Sequence, residues 1–98
     1  MTNEERLYLV TYDIGDERRW RRIFRLMRGY GEWVQFSVFQ CRLSRQRHAE
    51  LIALLDGMIL HGEDHVITID IGPAEGVTPR VTSLGKTFEP VVLEPVIV

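Results

Sequence analysis

The stretch LYLVTYDIGDERRWRRIFRLMRGYG, residues 7–31, decides the fold predicted for this chain. Its first part, residues 7–14, is dense in β-branched and aromatic side chains, which is typical of a strand. Gly15 interrupts that pattern, and Asp16 is a residue type that caps a helix by accepting a backbone N–H. Asp13 is therefore expected at the end of a strand, directly before a helix begins.

The helix expected after Asp16 has one apolar side and one basic side. Its apolar residues recur with the i, i+3, i+4, i+7 spacing of a buried stripe: Trp20, Ile23, Phe24 and Met27. The other side carries arginines with no acidic residue among them: Arg18, Arg21, Arg22, Arg25 and Arg28. Glycines at 29 and 31 end the helix. A strand-end carboxylate beside such a helix suits a divalent metal ion next to a phosphate backbone.

Composition predicts one soluble domain over residues 1–98. Hydrophobic residues make up 45% of the 98 and charged residues 27%, as in ordinary globular proteins. No apolar run approaches the ~18 residues of a membrane span. Cys41 is the single cysteine, so the chain has no disulfide framework, and a reducing cytoplasm is the expected location.

Charge is distributed unevenly along the chain. Residues 1–50 contain ten arginines and seven acidic residues, a net charge of +3. Residues 51–98 contain two basic and seven acidic residues, a net charge of −5. We therefore expect a polyanion to bind one part of the surface and avoid another.

The remaining pattern predicts an α+β fold. Residues 32–43 form a second strand, Ser44 caps a second helix that continues to about residue 60, and residues 65–71 form a third strand. A short extra strand is expected at 80–84. Because twelve residues are many for one strand, we expect a bend near Gln40 to divide residues 32–43 in two. The result is a ferredoxin-like βαββαβ arrangement, an antiparallel sheet with both helices on one face.

Strand alternation separates two faces of this sheet and predicts a homodimer. We assign to the helix side Val34, Phe36, Val38, Ile67, Ile69 and Ile71. The other face then carries Leu9, Thr11, Asp13, Gln35, Ser37, Phe39, Val66, Thr68 and Asp70. This second face is too apolar for water and too polar for a monomer core, so a two-fold dimer packed through the sheet is expected. Prolines at 90 and 95 confine the tail, residues 85–98, to an edge strand, which we expect on the partner subunit.

Several motifs resemble those of the CRISPR-associated protein 2 family of prokaryotic adaptive immunity. They are YDI at 12–14, the arginine-rich helix after it, and GYGEWVQFSVFQCRLS at 29–44. The resemblance covers residues 7–71. It implies a ferredoxin-like homodimer, a Mg²⁺-dependent nuclease acting on RNA or DNA, and a bridging role between dimers of the CRISPR-associated integrase during spacer acquisition.

The resemblance also implies roles for individual residues. Asp13 matches the family's catalytic, metal-binding aspartate, with Mn²⁺ as an alternative to Mg²⁺. The family's helix arginines and its S-V-F phenylalanine correspond to Arg19, Arg22 and Phe39, and Trp33 stands where a basic residue is common. The arginine side of the helix adds Arg18 and Arg25 as nucleic-acid contacts.

Simpler structural roles compete with several of these assignments. Asp16 is expected to cap the helix, with a supporting metal role as the alternative. Ser37 either positions a phosphate or water or lies in a wet dimer interface. Phe39 either stacks on a base or packs in that interface. We interpret His61 and His65 as parts of a charged turn, and Cys41 has no histidine that would make it a nucleophile.

Three functions remain open from the sequence. The first is metal-dependent phosphodiester cleavage with Asp13 from both subunits of a dimer, whose carboxylates would repel each other without a cation. The second is a nucleic-acid-binding scaffold that bridges integrase dimers without cleaving. The third is a domain of similar fold with another role, either a toxin-like ribonuclease or a small-molecule-binding regulatory domain.

Overall fold

The computed structural model describes residues 4–77 together with Thr82, Leu84 and Gly85. Their elements follow the predicted order of strand, helix, two strands, helix and strand. The bounds are β1 Glu5–Asp13, α1 Glu17–Arg28, β2 Glu32–Gln35, β3 Val38–Ser44, α2 Arg45–Met58 and β4 His65–Pro73. The strand expected at 80–84 and the tail at 85–98 lie outside the described residues, apart from positions 82, 84 and 85.

Both helices begin at the caps that the sequence predicts. The Asp16 carboxylate accepts a hydrogen bond from the Arg19 backbone N–H at 2.9 Å, and the Ser44 hydroxyl accepts one from Arg47 N–H at 3.2 Å. Each side chain thereby satisfies an N–H that has no partner within the helix itself. Neither helix of residues 4–77 combines the length and apolar character needed to cross a bilayer.

The four strands form one antiparallel sheet in the order β2-β3-β1-β4. This order, with the βαββαβ sequence of elements, is the predicted ferredoxin-like arrangement. The division of residues 32–43 is confirmed, but its expected position near Gln40 is wrong. The chain turns instead at Phe36 and Ser37, and the β2–β3 register shifts between Trp33 and Gln35.

The core lies between the sheet and the two helices. Its buried side chains come from β1, α1, β3 and α2: Tyr8, Val10, Tyr12, Ile23, Met27, Phe39, Cys41, Leu43, Leu51 and Leu55. Both helices therefore pack on the same face of the sheet, as predicted. The opposite face has no helix of residues 4–77 on it, and we call it the open face.

The predicted faces of β2, β3 and β4 are reversed in the structure. In β2 it is Trp33, paired with Phe39, that packs against the core, and Phe36, assigned to the helix side, is exposed. Phe39 pairs with Val10 across the β1–β3 ladder and is fully buried on the helix side. Ile67 and Ile69 pair with Thr11 and Leu9 and lie on the open face, because residues opposite each other across a ladder share a face.

The three isoleucines of β4 are all exposed. Ile67 is 44% exposed, Ile69 48% and Ile71 53%. The open face is thus more apolar along β4 than the sequence assignment implied, and the residues at 66 and 68 turn toward α2 instead.

Candidate functional site

Asp13 lies where the sequence places it, at the last residue of β1. Its side chain is exposed and accepts no hydrogen bond from any residue of the 4–77 range. His65, the first residue of β4, is its partner across the β1–β4 ladder. Both side chains therefore project from the open face at one end of the sheet. This pairing brings an imidazole beside the carboxylate, which the interpretation of His65 as part of a charged turn did not predict.

The loop after Asp13 is held by the buried carboxylate of Asp64, in the turn before β4. Asp64 accepts hydrogen bonds from the Gly15 N–H at 2.9 Å and the Leu60 N–H at 2.8 Å. It also accepts two from the Arg19 guanidinium, from Nε and from Nη2. These bonds hold the pKa of the Asp64 carboxyl far below its ordinary value, with Arg19 as the largest cause. One side chain therefore joins the β1–α1 loop, the first turn of α1 and the α2–β4 turn.

Arg19 holds the fold together, in contrast to the phosphate contact expected for it. Its guanidinium is mostly buried and donates to Glu63 as well as to Asp64. A guanidinium shared between two carboxylates has few donors left for a phosphate. We therefore remove Arg19 from the nucleic-acid contacts and assign it to the support of the loop that carries Asp13.

The exposed side of α1 is a continuous basic surface. Arg18, Arg21, Arg22 and Arg25, together with Asp16 and Arg19, line a shallow depression along this helix. Arg21 forms an ion pair with Glu17 one turn earlier. No hydrogen bond or ion pair engages Arg18 or Arg22 within residues 4–77. Three of the predicted contacts, Arg18, Arg22 and Arg25, are thus exposed on one side of one helix.

Ser37 and Phe39 contact α1 and the core. The Ser37 hydroxyl accepts a hydrogen bond from Trp20 Nε1 at 2.7 Å, and its carbonyl accepts one from the Tyr12 N–H at 3.1 Å. Phe39 is fully buried, with its ring 5.5 Å from that of Phe24 and 6.3 Å from that of Tyr12. A ring enclosed between the sheet and α1 has no face for a base and does not lie on the open face. Both predicted roles of Phe39, base stacking and packing in the dimer interface, are therefore wrong.

Two further core residues are shielded from a substrate. Cys41 is buried, and burial raises the pKa of its thiol to about 12, which disfavours the nucleophilic thiolate. Tyr12 is buried on the helix side, away from Asp13, and burial raises the pKa of its hydroxyl as well. Neither group has the exposure that contact with a substrate requires.

The sequence profile described as CRISPR associated protein Cas2 matches residues 6–75. That match covers well over half of the chain, including every element of the site. The chain belongs to the Cas2 family. The resemblance predicted from YDI, the arginine-rich helix and the S-V-F segment is therefore confirmed.

Similar Cas2 proteins carry informative names. A protein of Geobacter sulfurreducens named CRISPR-associated endoribonuclease Cas2 is 53% identical over 94 residues, which cover 96% of this chain and 99% of that protein. A relative of Rhodospirillum rubrum, named CRISPR-associated endoribonuclease Cas2 1, is 51% identical over 90% of this chain and 86% of its own length. The solved structure of Streptococcus pyogenes Cas2 at pH 6.5 superposes with a TM-score of 0.70 at 30% identity, covering 81% of this chain and 99% of that one.

The donor set at Asp13 suits a cation that keeps much of its water. Among the described residues, no group of three or more His, Cys, Asp or Glu side chains is arranged to hold a metal ion. One chain offers Asp13, with His65 as its neighbour across the ladder. Mg²⁺ is commonly held by one or two carboxylates, with waters and substrate phosphates as its other ligands. A single exposed carboxylate, Asp13, is thus compatible with a hydrated Mg²⁺ ion.

Sequence reasoning missed three residues of this site. His65 is interpreted from sequence as part of a charged turn, and Asp64 beside it is given no role, although an acid just before a strand that pairs with β1 is well positioned to bond the β1–α1 loop. Phe36, in the turn between β2 and β3, is 80% exposed. Its signal in the sequence is an aromatic residue at the point where residues 32–43 divide into two strands joined by a tight turn.

Proposed function

We propose that this Cas2 chain is a metal-dependent endonuclease that hydrolyses phosphodiester bonds of RNA. The observation that carries the proposal is the exposed Asp13 carboxylate at the end of β1, which leads directly into α1 and the basic surface of its exposed side. The names of the Geobacter and Rhodospirillum relatives, both called endoribonucleases, favour RNA over DNA.

Each part of the site has a distinct task in this proposal. The guanidinium groups of Arg18, Arg22 and Arg25 bind successive phosphates, because a guanidinium donates two parallel hydrogen bonds to phosphate oxygens. Asp13 holds the cation at the phosphate to be cleaved. The Asp64–Arg19 pair holds the β1–α1 loop in one conformation. The Asp13 carboxylate before this loop and the arginines of α1 after it therefore keep a constant spacing.

Mg²⁺, or Mn²⁺ in its place, would be held by Asp13 and by the phosphate of the substrate. When bound, such an ion polarises a phosphoryl oxygen and lowers the pKa of an attacking water. The exposed position of Asp13 leaves room for the waters that a hydrated cation keeps.

We further propose that the active form is a homodimer packed through the open face. Ile67 and Ile69 support this, because both are exposed apolar side chains on a face without a helix. Asp13 projects from the same face, so two-fold packing would bring a second carboxylate toward the first. In the cell, this dimer would take part in spacer acquisition together with the CRISPR-associated integrase.

The decisive experiment measures cleavage of a labelled single-stranded RNA. Wild-type protein with Mg²⁺ should cleave, whereas addition of EDTA or the Asp13→Asn substitution should abolish cleavage and leave the fold intact. Asp56→Asn, which changes an exposed carboxylate of α2, is the matched control and should cleave like wild type. Cleavage that survives EDTA and Asp13→Asn would refute the proposal. Binding of RNA without cleavage by wild type, with Mg²⁺ or Mn²⁺, would leave the scaffold function in its place.

The dimer is tested by substituting two apolar residues that are exposed to nearly the same extent. Ile69 on the open face is 48% exposed and Leu54 on α2 is 46% exposed. Ile69→Glu should give a monomer by light scattering after gel filtration, because it introduces a charge into the proposed interface. Leu54→Glu should remain a dimer. A monomeric wild type, or a dimeric Ile69→Glu variant, would contradict packing through this face.

A further inference from the structure

Phe36 is presented to solvent at the tip of the β2–β3 hairpin. Its side chain is 80% exposed, and its backbone φ is +40°. This left-handed conformation is one that aromatic L-residues rarely adopt, since it crowds the Cβ atom against the backbone. Single exposed hydrophobic residues are common, but an exposed aromatic in a strained conformation calls for a specific explanation.

Two tryptophan side chains hold the turn in this conformation. Trp33 Nε1 donates a hydrogen bond to the Phe36 carbonyl at 2.8 Å. Trp20 Nε1 donates to the hydroxyl of the next residue, Ser37, at 2.7 Å. The exposed ring is therefore carried on a backbone fixed from both β2 and α1, so little ordering is needed when a ligand binds to it.

The turn also adjoins the proposed cleavage site. The Ser37 carbonyl accepts a hydrogen bond from the backbone N–H of Tyr12, the residue immediately before Asp13. Trp20, which bonds the same serine, belongs to α1, whose exposed side carries the basic surface. The turn that carries Phe36 is thus hydrogen-bonded both to β1, next to Asp13, and to α1, which carries the arginines.

We propose that the Phe36 ring stacks on an unpaired nucleobase of a single-stranded RNA whose phosphates lie on the α1 arginines. The proposal rests on the proposed function and specifies its substrate class. Stacking on an aromatic ring requires a base with a free face and accepts any of the four bases. The site would therefore favour single strands over duplex and show little sequence preference.

A nucleic acid explains this exposed ring better than a second copy of the chain does. Phe36 lies in the hairpin of β2, the edge strand at the opposite end of the sheet from β4. The exposed isoleucines Ile67, Ile69 and Ile71 belong to β4. The neighbours of Phe36 along the chain, Gln35 and Ser37, are polar, whereas the core of a subunit interface is usually apolar.

The test measures binding in EDTA, so that cleavage plays no part. Phe36→Ala and Phe36→Leu should weaken binding of a single-stranded RNA by about 5- to 100-fold, the usual effect of losing one stacked base. Phe36→Tyr and Phe36→Trp should retain it, because they keep an aromatic face. Leu54→Ala, an exposed apolar residue on α2, is the control and should bind like wild type. A 2-aminopurine in the RNA should lose fluorescence on binding wild type but not Phe36→Ala.

The outcomes separate this inference from the proposed function. Phe36→Ala and Phe36→Leu that bind RNA like wild type would overturn the stacking role, whatever Asp13→Asn does to cleavage. Unchanged cleavage by Asp13→Asn would overturn the nuclease mechanism and leave the binding result valid. If Phe36→Ala instead converts a dimeric wild type to a monomer, the ring belongs to an interface between copies and the inference fails.

Discussion

Replacement of Phe39 by leucine distinguishes a core residue from a ligand contact. The Phe39 ring is fully buried and contacts two other rings, those of Phe24 and Tyr12. Each such aromatic pair contributes about 0.5–1.5 kcal/mol beyond its buried area. Loss of both pairs should therefore lower the free energy of unfolding by about 1–3 kcal/mol. For a domain of this size, each kcal/mol lowers the melting temperature by about 4–8 °C.

The matched control is the same substitution three residues earlier. Phe36→Leu changes an exposed side chain and should alter stability by less than about 0.5 kcal/mol. The assay is thermal and urea unfolding followed by circular dichroism at one protein concentration, with RNA binding measured well below the melting transition. We expect Phe39→Leu to be less stable than wild type but to bind RNA normally. Phe36→Leu should be as stable as wild type but bind RNA more weakly. A Phe39→Leu variant that is as stable as wild type but binds RNA poorly would refute this reasoning.

Four further predictions concern stability and reactivity. Gly31→Ala should destabilise the chain by about 1–3 kcal/mol in urea unfolding, because the new Cβ would lie 2.5 Å from the Gln40 carbonyl oxygen. Gly57→Ala should stabilise it by about 0.5–1 kcal/mol in the same assay, since this helical position has open space around it. Asp64→Asn should reduce the loss of unfolding free energy that wild type shows at acid pH. The pKa of the Asp64 carboxyl in the folded protein lies below its ordinary 3.8, so the ionised group stabilises the fold above that pH and the stabilisation is lost on acidification. Cys41 should resist alkylation in the native protein and react once urea unfolds the chain, as mass spectrometry would show.

The order of the elements and the positions of the helix caps could be predicted from sequence because they depend on neighbouring residues. Asp16 and Ser44 bond N–H groups three residues away. The apolar stripe of α1, with Ile23 and Met27 buried, follows from the helical repeat alone. Asp13 stands at the end of β1 because Gly15 interrupts the strand pattern directly after it. The basic side of α1 is the consequence of the same short-range periodicity.

The faces of β3 and β4 depended on packing between distant segments. Alternation with a period of two separates two sets of side chains but does not determine which set faces the helices. Phe36 and Phe39 illustrate the difficulty, because the turn at residues 36 and 37 ends the alternation of β2 and allows a new one to begin in β3. Only the pairing of Phe39 with Val10 determines that the later ring is buried and the earlier one exposed.

The same distinction applies to the charged residues of the site. Arg18, Arg19 and Arg22 all lie in one arginine-rich segment, and nothing in that segment separates a phosphate contact from a structural cation. The separation comes from Asp64, 45 residues along the chain from Arg19, because the β1–β4 pairing brings the turn before β4 against the start of α1. Local sequence thus determined where a carboxylate and a row of arginines would lie. Tertiary structure decided which of these charges bind each other and which remain available to a ligand, since contacts between distant residues arise only from the packing of the whole sheet.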